Sequence, residues 1–228
     1  MNHLELFSGT HSFGKVSSKR GYNVVSLDRD LDGTCPFGSG YKNDFHIMED
    51  IMTWNYKMFP PNYFKIITAS PVCLWWSHLR VSNIGRYNKD GTIFTREELE
   101  SDILKKGIPM VDKVFEIINY YKPKYFIIEN PASGRMKDYI NELIPYYDVD
   151  YCKYSDFGYR KRTRFWTNIE NFNNRKCAFD CKNLIIIDGC KIHKKCVGRN
   201  NIDGEKPNKL ERYRIPEKLI EELFDLIN

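Results

Sequence analysis

At 228 residues, with 42% hydrophobic and 29% charged residues and a net charge of +5, the chain has globular composition and room for one sizeable α/β core plus an appendage, not for two ordinary domains. No apolar stretch approaches the roughly 18 residues of a membrane span, which argues against a helical membrane protein and leads us to expect a soluble one. Residues 3–7 alternate like a strand and meet a Ser-Gly turn at once, unlike a secretory leader, so the seven cysteines are expected to stay reduced in a cytoplasmic or nuclear compartment.

Short apolar strands are expected at residues 3–7, 22–27, 64–68 and 125–128, alternating with helical stretches. That is the pattern of an α/β fold with a doubly wound, mostly parallel sheet. The first strand runs into Ser8-Gly9-Thr10-His11-Ser12 and a helix from Phe13. Such a turn faces backbone N–H groups toward a nucleotide-type ligand, although many α/β proteins have one for packing alone. The second strand ends at Asp28, an acid about 20 residues past the turn, where it can accept hydrogen bonds from ribose hydroxyls. The third ends in Ala69-Ser70-Pro71-Val72-Cys73-Leu74-Trp75-Trp76-Ser77, followed by His78, Arg80, Arg86 and Lys89 in a loop rich in Gly, Asn and Asp. A thiol placed there suits an accessible nucleophile; a buried structural cysteine is the competing reading.

Before the fourth strand, Thr95 and Glu98 form a capping-box pattern, and Val111, Val114, Phe115 and Ile118 fall at i, i+3, i+4 and i+7. Gly107 and Pro109 are expected to kink or divide this helix. The fourth strand ends in Glu129-Asn130-Pro131. Burial at a strand end disfavours an ionised carboxylate and equips it to hold a proton, a capping acid being the alternative. Further on, Tyr159-Arg160-Lys161-Arg162-Thr163-Arg164-Phe165-Trp166, if extended, puts Arg160, Arg162 and Arg164 on one face, where they could grip phosphate or a base carbonyl.

Residues 153–200 hold twelve Lys and Arg against four acids, a local charge of +8 that leaves −3 for the remainder. This is the footprint of a phosphate-contacting surface, or else a solvated face. After Trp166 the pattern breaks into an asparagine-rich and then a Cys- and Lys-rich stretch. Cys177-x3-Cys181 and Cys190-x2-His193-x2-Cys196 flank an apolar hairpin-like segment turning at Asp188-Gly189, a spacing that suits a structural zinc held by four of these five side chains. Scattered reduced cysteines in a Lys-rich loop are the alternative. The C-terminus returns to helical periodicity, with Pro216 at an N1-like position and Leu219, Ile220, Leu223, Leu226 and Ile227 on one stripe.

Taken in order, Leu4-Glu5-Leu6-Phe7-Ser8-Gly9, Ser70-Pro71-Val72-Cys73, Glu129-Asn130-Pro131 and the Arg-x-Arg run resemble the signature blocks of cytosine-C5 DNA methyltransferases, especially the compact branch of phages and large DNA viruses. The resemblance covers residues 3–168 well and the end around Arg214-Ile215-Pro216 more loosely. It implies a Rossmann-like fold that uses S-adenosylmethionine and acts on a cytosine flipped out of DNA, with no membrane partner. Cys73 would attack C6, Glu129 would hydrogen-bond or protonate N3, and Arg162 and Arg164 would hold the base. Phe7, Ser8, Gly9, Thr10, Asp28, Asp50, Ile51 and Pro71 would contact the cofactor. Residues 75–88 would close over the nucleotide.

The expected organisation is a catalytic core at 1–168, a basic Cys/His-rich insert at 169–205 and a C-terminal helical segment at 206–228 that returns to the core. Three features depart from the family pattern. His11 stands where a glycine is usual, Val72 replaces a proline, and the interval from Asn168 to Leu210 is far too short for the usual target-recognition domain. An RNA cytosine-C5 enzyme carrying the same blocks, and a non-catalytic nucleic-acid-binding protein on this fold, are the alternative readings.

Overall fold

The computed structural model describes residues 1–29, 44–140, 144–197 and 208–227. The end of the expected insert, residues 198–205 with Arg199, lies outside them. Among the described residues one sheet contains β1 (Asn2–Leu6), β2 (Asn23–Asp28), β3 (Phe45–Met48), β4 (Ile66–Ala69), β5 (Tyr125–Pro131), β6 (Tyr146–Asp150) and β7 (Arg162–Thr167). Their order is β3-β2-β1-β4-β5-β7-β6, and β7 runs antiparallel to both its neighbours while the other pairs are parallel. The doubly wound, mostly parallel sheet read from the sequence is the sheet that forms.

Both faces of the sheet are covered, so its central strands are buried on both sides, and the polar residues they carry, His3, Glu5, Ser26 and Thr68, are buried with them. Leu4 and Leu6 of β1, Ile67 and Ala69 of β4 and Ile128 of β5 pack with Val111, Val114, Ile117 and Tyr121 of α3 (Ile108–Tyr121). The opposite face buries Ile66, Ile127 and Phe165 with Phe13 and Val16 of α1 (Ser12–Lys19). Leu219, Ile220, Leu223 and Phe224 of a C-terminal helix (Glu217–Phe224) join that layer. The helix starts after Pro216, which serves as its N-cap, and Arg20 at the end of α1 pairs with Asp225 at 2.7 Å.

The helix preceding α3, α2 (Arg96–Asp102), is capped by Thr95, whose side chain accepts from the Glu98 N–H at 3.2 Å. The return half of the capping box is absent there, because the Glu98 carboxylate accepts from Asn88 instead. Between α2 and α3 a π-helical stretch, Ile103–Gly107, absorbs the break expected at Gly107 and Pro109. Proline offers no N–H to the preceding turn, so the ladder must change step there.

Two further strands, β8 (Leu184–Ile187) and β9 (Cys190–His193), form a separate hairpin turning at Asp188 and Gly189, both at positive φ (49° and 77°). Among the described residues no helix is long and apolar enough to cross a membrane. The carboxyl ends of β1, β2, β4 and β5 all open on one edge of the sheet, so the turns that follow them gather at one place.

Candidate active site

At the end of β1 the chain turns through Phe7 (φ 56°), Gly9 (φ 44°) and His11 (φ 56°) before entering α1. Gly9 is exposed, and a Cβ there would meet only the Phe7 carbonyl at 3.9 Å, so the outer side of the turn is open to a ligand's backbone approach. Asp28, at the end of β2, accepts from the Gly9 N–H at 2.8 Å and so sits directly beside this turn. Ser8 is buried, its N–H bonded to the Leu27 carbonyl at 3.1 Å.

His11 does not obstruct the turn. Its ring is buried beneath α1, with Nδ1 2.5 Å from Glu5 Oε2 and 3.1 Å from Ser26 Oγ. Glu5 also accepts from the Phe13 N–H at 3.0 Å, satisfying one of the open donors at the start of α1. Burial pulls the His11 imidazole down, but the Glu5 carboxylate beside it prevails and holds it above its ordinary value. Farther along the edge, Asp50 accepts from the Met52 N–H at 2.9 Å and lies 3.5 Å from Arg29, and Ile51 is buried.

At the end of β4, Pro71 is buried, and its carbonyl accepts from Asn130 Nδ2 at 2.8 Å. This bond ties the loop carrying the thiol to the end of β5. Cys73 opens a short 3₁₀ turn (Cys73–Trp76) and is partly buried, with Trp76 sunk into the core behind it. A second such turn, His78–Asn83, follows. Within residues 75–88, Arg80 pairs with Asp102 and stacks over Trp75 and Phe94, which ties the stretch to α2 and makes this arginine structural where it sits.

Burial pushes the Cys73 thiol up, the nearby Glu129 carboxylate adds to the rise, and Lys161 opposes it. Glu129 is itself buried, with Lys161 Nζ 3.7 Å from its Oε1 and the Tyr151 hydroxyl donating to it at 3.3 Å. Burial, with Glu129 alongside, holds the Tyr151 phenol well above its ordinary value, so it remains a proton donor. Cys73, Glu129, Lys161 and Tyr151 thus form one electrostatically coupled group at the ends of β4 and β5.

The arginines are placed differently from the sequence expectation. In the antiparallel register Glu129 pairs with Phe165, whereas Arg164 pairs with Asn130 and Asp148, and Arg162 with Asp150. Side chains alternate along a strand, so Arg162 and Arg164 face away from Glu129 while Lys161 falls on its side. Arg164 is buried and bidentate to Asp148 at 2.7 and 2.9 Å, and Arg162 is bidentate to Asp150 at 3.0 and 2.7 Å. Arg160 precedes the strand and lies over Phe179, so the expected row of three on one face reduces to two. The sequence signal for Lys161 is the parity of the run, which sets it on the face opposite to Arg162 and Arg164.

The cysteines also group differently. Cys177, Cys181 and His193 come together, but the fourth member is Cys152, and their ligand atoms lie within 4.8 Å of one another. Cys190 is exposed on β9, three positions from His193 and hence on the other face of the hairpin, and Cys196 stands outside the group. Cys152 belongs to the turn after β6 (Tyr151–Lys153), in a stretch with no close cysteine neighbour in sequence, so spacing alone passes over it.

No protein-family model matches the chain. It is 40% identical over 232 residues to a Frog virus 3 (isolate Goorha) protein described as a "Probable DNA (cytosine-5)-methyltransferase", covering 99% of this chain and 100% of that one. Among solved structures, the Entamoeba histolytica methyltransferase EhMeth is similar at TM-score 0.50 and 16% identity over 77% of this chain. The S. pombe Dnmt2 methyltransferase follows at TM-score 0.40 and 14% identity over 73% of it. The chain spans about half the length of these two structures, 55% and 48% respectively. The likeness to EhMeth shows the fold.

Proposed function

The chain belongs to the DNA (cytosine-5)-methyltransferase family, and from that membership we propose that it transfers a methyl group from S-adenosylmethionine to C5 of a cytosine in DNA, with Cys73 as the nucleophile. The observation that carries the assignment is the placement of Cys73 and the buried Glu129 at the carboxyl ends of two adjacent parallel strands, which the Asn130–Pro71 hydrogen bond ties together. Cytosine C5 is a poor nucleophile. Addition of the Cys73 thiolate to C6 forms a C–S bond and moves the ring electrons toward C5 and N3. Glu129 delivers or shares a proton at N3, so that negative charge does not accumulate in the ring.

Glu129 and Cys73 are two acids that repel each other as anions, and Lys161 supplies the compensating cation. As the sulfur bonds to C6 its negative charge moves into the ring, which removes this repulsion and lets Glu129 give its proton to N3 in the same step. Tyr151 holds the carboxylate in place, and Asn130 holds the Pro71 end of the thiol's loop. The base must leave the helix to reach this depth.

S-adenosylmethionine, when bound, supplies the electrophilic methyl group. The residues fit such a ligand: the open turn at Gly9, with Phe7, Ser8, Thr10 and the Asp28 carboxylate around it, would hold its amino-acid and ribose parts, and Asp50 and Ile51 would lie toward the adenine. After methylation the C5 proton passes to solvent, the N3 proton returns to Glu129, and elimination of the Cys73 sulfur as thiolate restores the aromatic ring. Arg162 and Arg164, bound to Asp150 and Asp148, brace β6 against β7 in this scheme rather than reaching for the base.

Incubation with S-adenosylmethionine and duplex DNA containing 5-fluorocytosine tests the scheme, because the fluorine blocks elimination and traps the adduct. A denaturation-resistant protein–DNA complex is expected from the native chain and none from Cys73→Ser. Its rate of formation should rise with pH above neutrality, since the thiol titrates above its ordinary value. Failure of the folded native protein to form the adduct sinks the assignment.

A further inference from the structure

We propose that Cys152, Cys177, Cys181 and His193 bind a single structural zinc ion that staples the hairpin insert to the catalytic sheet. Three separate segments supply the ligands. Cys152 comes from the turn after β6, Cys177 and Cys181 from the tight turn between them, and His193 from the end of β9.

The distances fit the ion. A tetrahedral site with sulfur at about 2.3 Å and nitrogen at about 2.0 Å from zinc has sulfur–nitrogen edges of roughly 3.5 Å. His193 Nε2 lies 3.6 Å from Cys177 Sγ and 3.4 Å from Cys181 Sγ. Cys152 and Cys177 are buried, and Cys181 and His193 are partly so, as expected of a closed four-ligand site without a place for water or substrate.

The surroundings are built to hold it. The Cys177 N–H donates to Asp150 Oδ2 at 2.7 Å, and Asp150 also grips Arg162. Buried Asn183, just before β8, donates to the carbonyls of Cys152 at 3.0 Å and Ser155 at 2.8 Å, and its own carbonyl accepts from the Lys194 N–H at 3.0 Å. A two-stranded hairpin is marginal on its own, and this one leaves Ile186 71% exposed, so apolar burial does not account for its order. A metal staple does. The ion would also fix Tyr151, the residue before Cys152 and the donor to Glu129.

Zinc content of the full-length protein, purified with a thiol reductant and without chelators, is the first measurement, and about one zinc per chain is expected. Exchange into Co²⁺ should give strong visible ligand-field bands with a near-ultraviolet sulfur-to-cobalt charge-transfer band, the signature of a tetrahedral thiolate site. Cys152→Ser and Cys181→Ser should each weaken zinc retention against a competing chelator by more than about tenfold, whereas Cys190→Ser and Cys196→Ser should retain the metal. If the first two variants fail to fold, the cobalt spectrum of the native protein and the two retaining variants still decide the matter. A native protein that takes up neither zinc nor cobalt overturns the proposal. So does loss of metal in Cys190→Ser or Cys196→Ser with retention in Cys152→Ser, or a Cys177–Cys181 disulfide in the reduced preparation.

Discussion

His3 sits in the middle of β1 with its ring fully buried and its Nε2 2.8 Å from Thr68 Oγ1. Burial pulls its pKa down from 6.5 to about 4, with Glu5 opposing the fall. The folded-state value lies below the unfolded one, so the neutral ring contributes stability above pH 6.5 that is lost as pH falls toward 4. His3→Gln keeps a hydrogen-bonding side chain that does not titrate there, and acidification from pH 7.5 to 4 should cost it about 3 kcal/mol less than the native chain, read from urea unfolding at each pH. Equal losses in both proteins would show that His3 takes up its proton as readily in the core as in the unfolded chain. Glu129 and Cys73 could be picked out in the sequence because strand ends are where chemistry is positioned. Lys161 and Tyr151 could not be assigned a partner without knowing which strand lies beside β5.

Gly107 marks the junction of the π stretch with α3, and a Cβ there would lie 3.0 Å from two atoms of the Trp76 ring and 3.4 Å from Trp75 Cβ. The helix break and the turn carrying Cys73 are thus packed directly on each other. Alanine at 107 gains about 1 kcal/mol of helix propensity, but overpacking against a ring with 2% exposure costs about 1–3 kcal/mol. Gly107→Ala should therefore lose about 1 kcal/mol in urea unfolding and slow formation of the 5-fluorocytosine adduct several-fold, because the cheapest relief shifts Trp76 and with it the thiol. An unchanged adduct rate at reduced stability would disconnect this helix from the turn. The break was readable from Gly107 and Pro109, while its contact with Trp76 was not. Strands β3 and β6 likewise lie outside the expected strands, since Phe45–Met48 is short and Tyr146–Asp150 carries acids that make sense only opposite Arg162 and Arg164.

The +8 segment is less basic in space than along the chain. Arg162 and Arg164 pair with Asp150 and Asp148, Arg175 with Glu222 and Lys195 with Glu211, all acids from outside the segment. Lys153 and Lys182 pair with Asp180 and Asp156 within it, and Lys161 faces Glu129. Among the described residues of the segment, Arg160, Lys176, Lys191 and Lys194 have no ion pair. Neutralising about four phosphates implies that log K for DNA falls with log salt at a slope of roughly −3 to −4, measurable by fluorescence anisotropy across salt concentrations. A slope near −10 would mean that the ion pairs open on binding or that another surface carries the contact.

Local periodicity and strand-end chemistry were enough to recover the parallel sheet, the turn at Gly9 and the positions of Cys73 and Glu129, because each depends on residues close together in the chain. The partners of those groups depend on strand order and register. A side chain's face is set by its position in a pleated strand, and its neighbours by which strand lies alongside. For that reason the long-range fold, and no spacing rule, exchanged Cys190 and Cys196 for Cys152, turned two arginines away from Glu129 and put Lys161 in their place.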